Sequence, residues 1–168
     1  IFDDISTSST LQVAYGSNTT VTHCSFSNFV VNTNFYVANE ADGVGAATAR
    51  TVQYCMFNNI KTVNNSSMRI AYKNNDTAVD VAVKDSSFSN IISSNNISIA
   101  WNASANGDAH VDRCSFSNLI VGGFYLGNGA NGLYTVMRTV FDTVICTSVL
   151  EIDYNTTNNS YNVFDNFY

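Results

Sequence analysis

The chain has 168 residues, of which only 12% are charged and none is proline; seven Lys and Arg against thirteen Asp and Glu leave a formal net charge of −6. So little basic surface argues against nucleic acid as a partner, and without a run of about 18 apolar residues no membrane-spanning helix is predicted. The excess of Asn, Ser, Thr and Val instead suits a secreted rigid rod, and a start without Met or a signal-peptide pattern points to a mature product or a piece of something larger.

In chain order the first element is Phe2-Asp3-Asp4-Ile5. This signature returns at Phe26-Ser27-Asn28-Phe29, Phe57-Asn58-Asn59-Ile60, Phe88-Ser89-Asn90-Ile91, Phe116-Ser117-Asn118-Leu119, Phe141-Asp142-Thr143-Val144 and Phe164-Asp165-Asn166-Phe167. The phenylalanines are 24, 31, 31, 28, 25 and 23 residues apart. A repeat irregular in length but fixed in content marks a solenoid with variable loops, here one array over residues 1–168.

About nine residues after each Phe a short strand is predicted: Leu11 to Tyr15, Phe35 to Asn39, Met68 to Tyr72, Ile97 to Trp101, Phe124 to Asn128 and Leu150 to Tyr154. Its first and third positions are apolar, whereas the second holds Gln12, Tyr36, Arg69, Ser98, Tyr125 and Glu151, so alternate side chains face opposite sides. The fourth position is Ala14, Ala38, Ala71, Ala100 and Gly127, broken by Asp153, and a small residue there predicts a tight corner. A third strand leads into the signature at Val21, Val52, Val81, Val111 and Val136.

Three short strands per repeat, without helical periodicity, predict an all-β fold: a parallel β-helix solenoid of about six coils with three strands in each. Stacking places equivalent positions about 4.8 Å apart. Ladders are therefore expected of the Phe rings, of Asn28, Asn59, Asn90 and Asn118, and of Cys24, Cys55, Ser86, Cys114 and Thr139. Asn side chains can bond to the next rung.

The Phe-x-Asn signature with Cys two residues before Phe, as at Cys24, Cys55 and Cys114, resembles the right-handed β-helix repeats of polymorphic-membrane-protein-type surface proteins and related extracellular β-helices of bacteria and protists. The resemblance covers nearly the whole chain and implies the same fold and a surface location. The companion Gly-Gly-Ala-Ile motif of that family is echoed only at Gly122-Gly123-Phe124.

Glycosylation acceptors of the form Asn-x-Ser/Thr occur at Asn18, Asn64, Asn65, Asn75, Asn96, Asn102, Asn155 and Asn158. Mapped on a coil they are expected to line one edge of the rod, in turns flanking the second strand. Covalent N-glycans, acquired in a secretory pathway and implying an extracellular or cell-surface location, follow from that placement. The four cysteines are compatible with that compartment, but in-register stacking of Cys24 and Cys55 is poor disulfide geometry, so free buried thiols are expected.

Catalysis on polysaccharides needs clustered carboxylates, whereas the acids here are spread. The densest group, Lys84-Asp85 beside Asp112-Arg113, reads as a charge ladder, and a lyase or hydrolase working through Asp85 or Asp112 is the least favoured alternative. His23 and His110 are expected three rungs apart, too far for a metal pair, so no catalytic residue, metal or cofactor is expected. The signature stands at both ends, where unpaired strand edges seek partners. Ile1, Phe2 and Ile5 at one end, with Val163, Phe164, Phe167 and Tyr168 at the other, are the expected contacts for other copies of the chain, head to tail. The expected function is a structural extracellular glycoprotein forming a fibre or surface appendage. The alternative is a spacer or a carbohydrate- or host-binding module of an adhesin.

Overall fold

The computed structural model describes residues 1–15, 19–39, 49–73, 80–102, 107–129, 133–152, 158–160 and 163–167. The first coil runs through β1 (Phe2–Asp3), β2 (Ser6–Thr7), β3 (Leu11–Val13) and β4 (Thr19–Thr22). The second holds β5 (Ser25–Val31), β6 (Phe35–Asn39) and β7 (Arg50–Gln53), and the third β8 (Met56–Thr62), β9 (Met68–Lys73) and β10 (Val81–Lys84). Then come β11 (Ser87–Asn102) with β12 (Ala109–Asp112), and β13 (Ser115–Gly129) with β14 (Tyr134–Met137). The chain goes on through β15 (Val140–Cys146), β16 (Leu150–Ile152), β17 (Asn158–Ser160) and β18 (Val163–Phe167).

Every pairing is parallel and joins one coil to the next, so the protein is a parallel β-solenoid. One path runs β1-β5-β8-β11-β13-β15-β18, and a separate six-stranded sheet runs β4-β7-β10-β12-β14-β17. The four coils from β5 to β14 hold most of the fully buried side chains, and the expected count of about six is reached only with the thinner first and last ones. The expected three strands per coil also need correction. In β11 and β13 the first two faces are one continuous strand, which merges them into a single twelve-stranded sheet with a register shift between Ser93 and Asn96.

Corners are set by residues in the left-handed region, which L-residues enter at a cost of roughly 1–2 kcal/mol unless a small or Asx side chain eases it. Three stacked columns adopt it: Asp4, Asn28, Asn59, Asn90, Asn118 and Thr143; Ala14, Ala38, Ala71, Ala100 and Gly127; His23, Tyr54, Asp85, Arg113 and Arg138. The third column always precedes the first by five positions, so length variation falls on the other two segments. The Ala and Gly column is small for two reasons at once. Ala38, Ala71 and Ala100 are fully buried, and a Cβ on Gly127 (φ +59°) would stand 3.0 Å from Val136 Cγ2.

Inside, the rings of Phe2, Phe26, Phe57, Phe88, Phe116 and Phe141 stack in sequence with centroids 5.0, 4.8, 4.7, 4.9 and 5.2 Å apart and nearly parallel planes. Phe29, Phe35 and Phe124 pack edge-on against this column. Burying a large apolar side chain contributes about 1.5–3 kcal/mol, repeated at every rung.

The Cys/Ser/Thr column has a common hydrogen bond. Cys24, Cys55, Ser86, Cys114 and Thr139 each donate to the carbonyl two residues earlier, at 3.4, 3.3, 2.7, 3.4 and 2.9 Å, spanning the left-handed residue between. Only a short side chain ending in S–H or O–H fits that role. All four thiols are free, and burial pushes that of Cys114 up to about 12.

Candidate functional site

The rod presents many of its polar side chains at its corners, because the faces between them bury alternate residues. At the Asn corner, Asn59 Nδ2 donates to Asn28 Oδ1 at 2.7 Å and Asn118 Nδ2 to Asn90 Oδ1 at 3.2 Å. Asn90 Nδ2 turns instead to Asn58 Oδ1 at 2.9 Å, which also accepts from Ser89 Oγ. At the first rung Asp3 Oδ1 accepts from Ser27 Oγ and Asn28 Nδ2, and these bonds hold its carboxyl below the usual carboxylate range. This ladder fixes register.

At the corner of His23, Tyr54, Asp85, Arg113 and Arg138, the first four line an open groove of about 740 Å³ together with Ser25, Met56, Ser87 and Ser115. Of the expected charge ladder, the Asp85–Arg113 half forms here, while Asp112, the register partner of Lys84, is engaged instead by Arg113 and Arg138. Arg113 Nη2 donates to Asp85 Oδ2 at 2.9 Å, Gln53 Nε2 to the same oxygen at 3.0 Å, and Arg138 Nε to Asp112 Oδ1 at 2.7 Å. The Arg113 hydrogen bonds, then that of Gln53, hold the Asp85 carboxyl down at about 2. A carboxylate kept ionised and already engaged is unsuited to general acid work.

The outward column Gln12, Tyr36, Arg69, Ser98, Tyr125 and Glu151 is in register from coil to coil. Arg69 Cζ lies 5.2 Å from the ring centroid of Tyr36 and 4.3 Å from that of Tyr72. Tyr72 stacks on Trp101 at 6.0 Å, and Trp101 meets Tyr125 edge-on at 5.2 Å. Around them lies a recess of about 230 Å³ in which Arg69 is the single charged residue among the described lining residues, with Asn96 and Ser98 beside it.

The described acceptor asparagines differ in their surroundings. Asn64 and Asn65 are exposed in the turn after β8, both with positive φ, and that turn stacks on the next coil through Asn95 Nδ2 donating to Asn65 O at 3.0 Å. Asn96 is half-buried one coil further on. Asn102 departs from the expected loop placement: it lies within β11, fully buried, and its Nδ2 donates to Asp108 O at 3.2 Å, which leaves no room for a sugar in the fold. Asn18, Asn75 and Asn155 lie outside the described residues; Asn158 begins β17.

Among the expected end contacts, Ile1 is 97% exposed while Phe2 and Ile5 are half-buried against the core. Val163, Phe164 and Phe167 lie in register with Val140, Phe141 and Val144, and Tyr168 lies outside the described residues.

One grouping joins residues far apart in the linear sequence. Asp80, Asp108 and His110 bring one ligand-type atom each within 4.8 Å of one another. Asp80 and Asp108 immediately precede Val81 and Ala109, which are register partners, so their alignment could have been read from strand starts. Fully buried Arg50, whose Nη1 donates to Thr19 Oγ1 at 2.7 Å, and fully buried Lys73 were also unanticipated.

Compared with known proteins, the chain matches no family model, no curated protein and no solved structure. No helix among the described residues is long and apolar enough to cross a membrane.

Proposed function

We propose that the chain is a structural extracellular glycoprotein, a β-helical rod that assembles head to tail into a fibre or surface appendage. The observation that supports this most is the translational stack of parallel Phe rings, in which successive coils present the same ring face and the same parallel-strand edge. A contact that continues such a stack is heterologous and propagates instead of closing. Ile1, Phe2 and Ile5 of one copy would meet Val163, Phe164, Phe167 and Tyr168 of the next. Sugars on the exposed Asn64 and Asn65 would cover one flank and leave the axial direction clear. In this reading the chain is no enzyme and needs no cofactor, and Asp85 and Asp112 serve as charge-ladder members. The polymorphic-membrane-protein-type signature adds a cell-surface setting. Electron micrographs of the purified chain are expected to show fibres with a regular axial repeat, abolished by Phe2→Asp with Phe164→Asp. Fibres indifferent to those charges, or a monodisperse monomer on gel filtration, would overturn the proposal.

A second reading, a carbohydrate-binding module of an adhesin, is favoured by the aromatic recess around Arg69. It requires that Arg69→Ala lose glycan retention while melting at an unchanged temperature.

A further inference from the structure

We infer that Asp80, Asp108 and His110 form a binding site for a first-row divalent cation of the zinc class, joining two neighbouring coils. Asp80 stands just before β10, and Asp108 and His110 stand just before and within β12, one coil later. The pairing of Val81 with Ala109 sets the two aspartates at equivalent positions, and Val81 N–H donates to Asp108 O at 2.9 Å. Each carboxylate is anchored by one oxygen. Asp80 Oδ1 accepts from Asp108 N–H at 3.2 Å, and Asp108 Oδ1 accepts from Leu133 N–H at 2.8 Å.

The imidazole is oriented from behind. His110 Nδ1 lies 2.8 Å from Thr135 Oγ1, and Thr135 is itself buried. In the tautomer with Nδ1–H donating to that hydroxyl, Nε2 is the bare nitrogen, and it lies 4.0 Å from Asp108 Oδ2. A ligand histidine held through its other nitrogen is the usual second-shell arrangement of a metal site.

Electrostatics points the same way independently of that geometry. Like charges directly opposite on paired strands are destabilising, and this chain already carries a net charge of −6. Elsewhere on the same side of the coils the stacked acids are answered by guanidinium groups, Asp85 by Arg113 and Asp112 by Arg138. Among the described residues the basic group within ion-pair distance of the Asp80–Asp108 pair is His110 alone. A single imidazole carries at most one positive charge and cannot compensate two carboxylates, whereas a divalent cation neutralises both and uses the bare nitrogen. The donor set of one nitrogen and two oxygens suits zinc or a neighbouring transition metal, while calcium prefers six to eight oxygen ligands. Bonds of about 2.1 Å require ligand atoms about 3.4 Å apart in a tetrahedron, so side-chain rotations of an ångström or so close the set, with solvent completing it. The ion would act as a staple between coils and, through Leu133 and Thr135, brace a third.

The test is calorimetric titration of the whole chain, freed of metal by chelation, with Zn²⁺ and separately with Ca²⁺. One Zn²⁺ per chain is expected, with a rise in melting temperature, and Asp80→Asn and His110→Ala should each weaken it at least about tenfold. Thr135→Val should weaken it by a similar factor through the orienting bond. Asp80 is exposed, so Asp80→Asn keeps the test decisive should the His110 variant fold poorly; circular dichroism of the metal-free variants checks this. Zn²⁺ binding untouched by Asp80→Asn, or Ca²⁺ bound as tightly as Zn²⁺, would overturn the inference.

Discussion

The Asn corner and the Ala corner bend the backbone through the same left-handed region by opposite chemical means. At Asn28, Asn59, Asn90 and Asn118 the side chains are exposed and bond to the next coil or its neighbour. At Ala38, Ala71 and Ala100 they are fully buried against the core, so the conformation is tolerated there only because nothing larger than a methyl has to fit. Backbone strain in this fold is therefore relieved by a polar side chain where water reaches and by the lack of one where it does not.

Exchanging the two solutions should break the comparison most sharply at the buried corner. Ala71→Asn keeps a residue that accepts positive φ, yet places an amide in the core. An unsatisfied buried polar group costs about 1–3 kcal/mol and overpacking about another 1–3, so a loss of roughly 3 kcal/mol in chemical denaturation is expected. A loss below about 1 kcal/mol would mean that the corner is not as tightly filled as its burial indicates. The reverse exchange is milder. Asn59→Ala removes the bond to Asn28 Oδ1 and a residue suited to the left-handed region, together worth about 1–2 kcal/mol. Asn59→Gly should recover part of that, since glycine adopts positive φ freely; equal losses for the two would assign the whole effect to the hydrogen bond.

How far the sequence reveals this follows from the same contrast. The Phe signature, the small fourth position and the Asn column are legible because each recurs at a fixed offset, and the parallel solenoid follows from them. The buried Lys73 and Asn102 are not, because the alternation of inward and outward residues is upset at Ala71 and Ala100, so that positions read as loop turn into the core. Asn102 carries the Asn-x-Ser acceptor pattern, and its burial shows only in the fold. The grouping of Asp80, Asp108 and His110 escapes because the segments before Asp80 and Asp108 differ in length, and the two fall level only once Val81 pairs with Ala109.

The third corner is the one held by charge, and it sharpens the comparison through pH. Asp85 has its carboxyl lowered from 3.8 to about 2, first by hydrogen bonds from Arg113 and then by Gln53. A folded-state value below the unfolded one means that the native state binds fewer protons, so this contribution is fully present above the unfolded value near 3.8 and drains away as pH falls from there towards about 2. The pair is partly exposed, with 45% of the Arg113 side chain and 17% of the Asp85 side chain accessible, so solvent and salt screen it and the effect is the smallest of the three. Melting temperature measured from pH 5 to pH 2 should fall less steeply in Asp85→Asn than in the wild-type chain, and added salt should narrow the gap. Asn59→Ala, whose corner carries no charge at that rung, should leave the slope unchanged. Identical slopes for Asp85→Asn and the wild type would mean that this corner, too, is held by its backbone column and that the guanidinium merely decorates it.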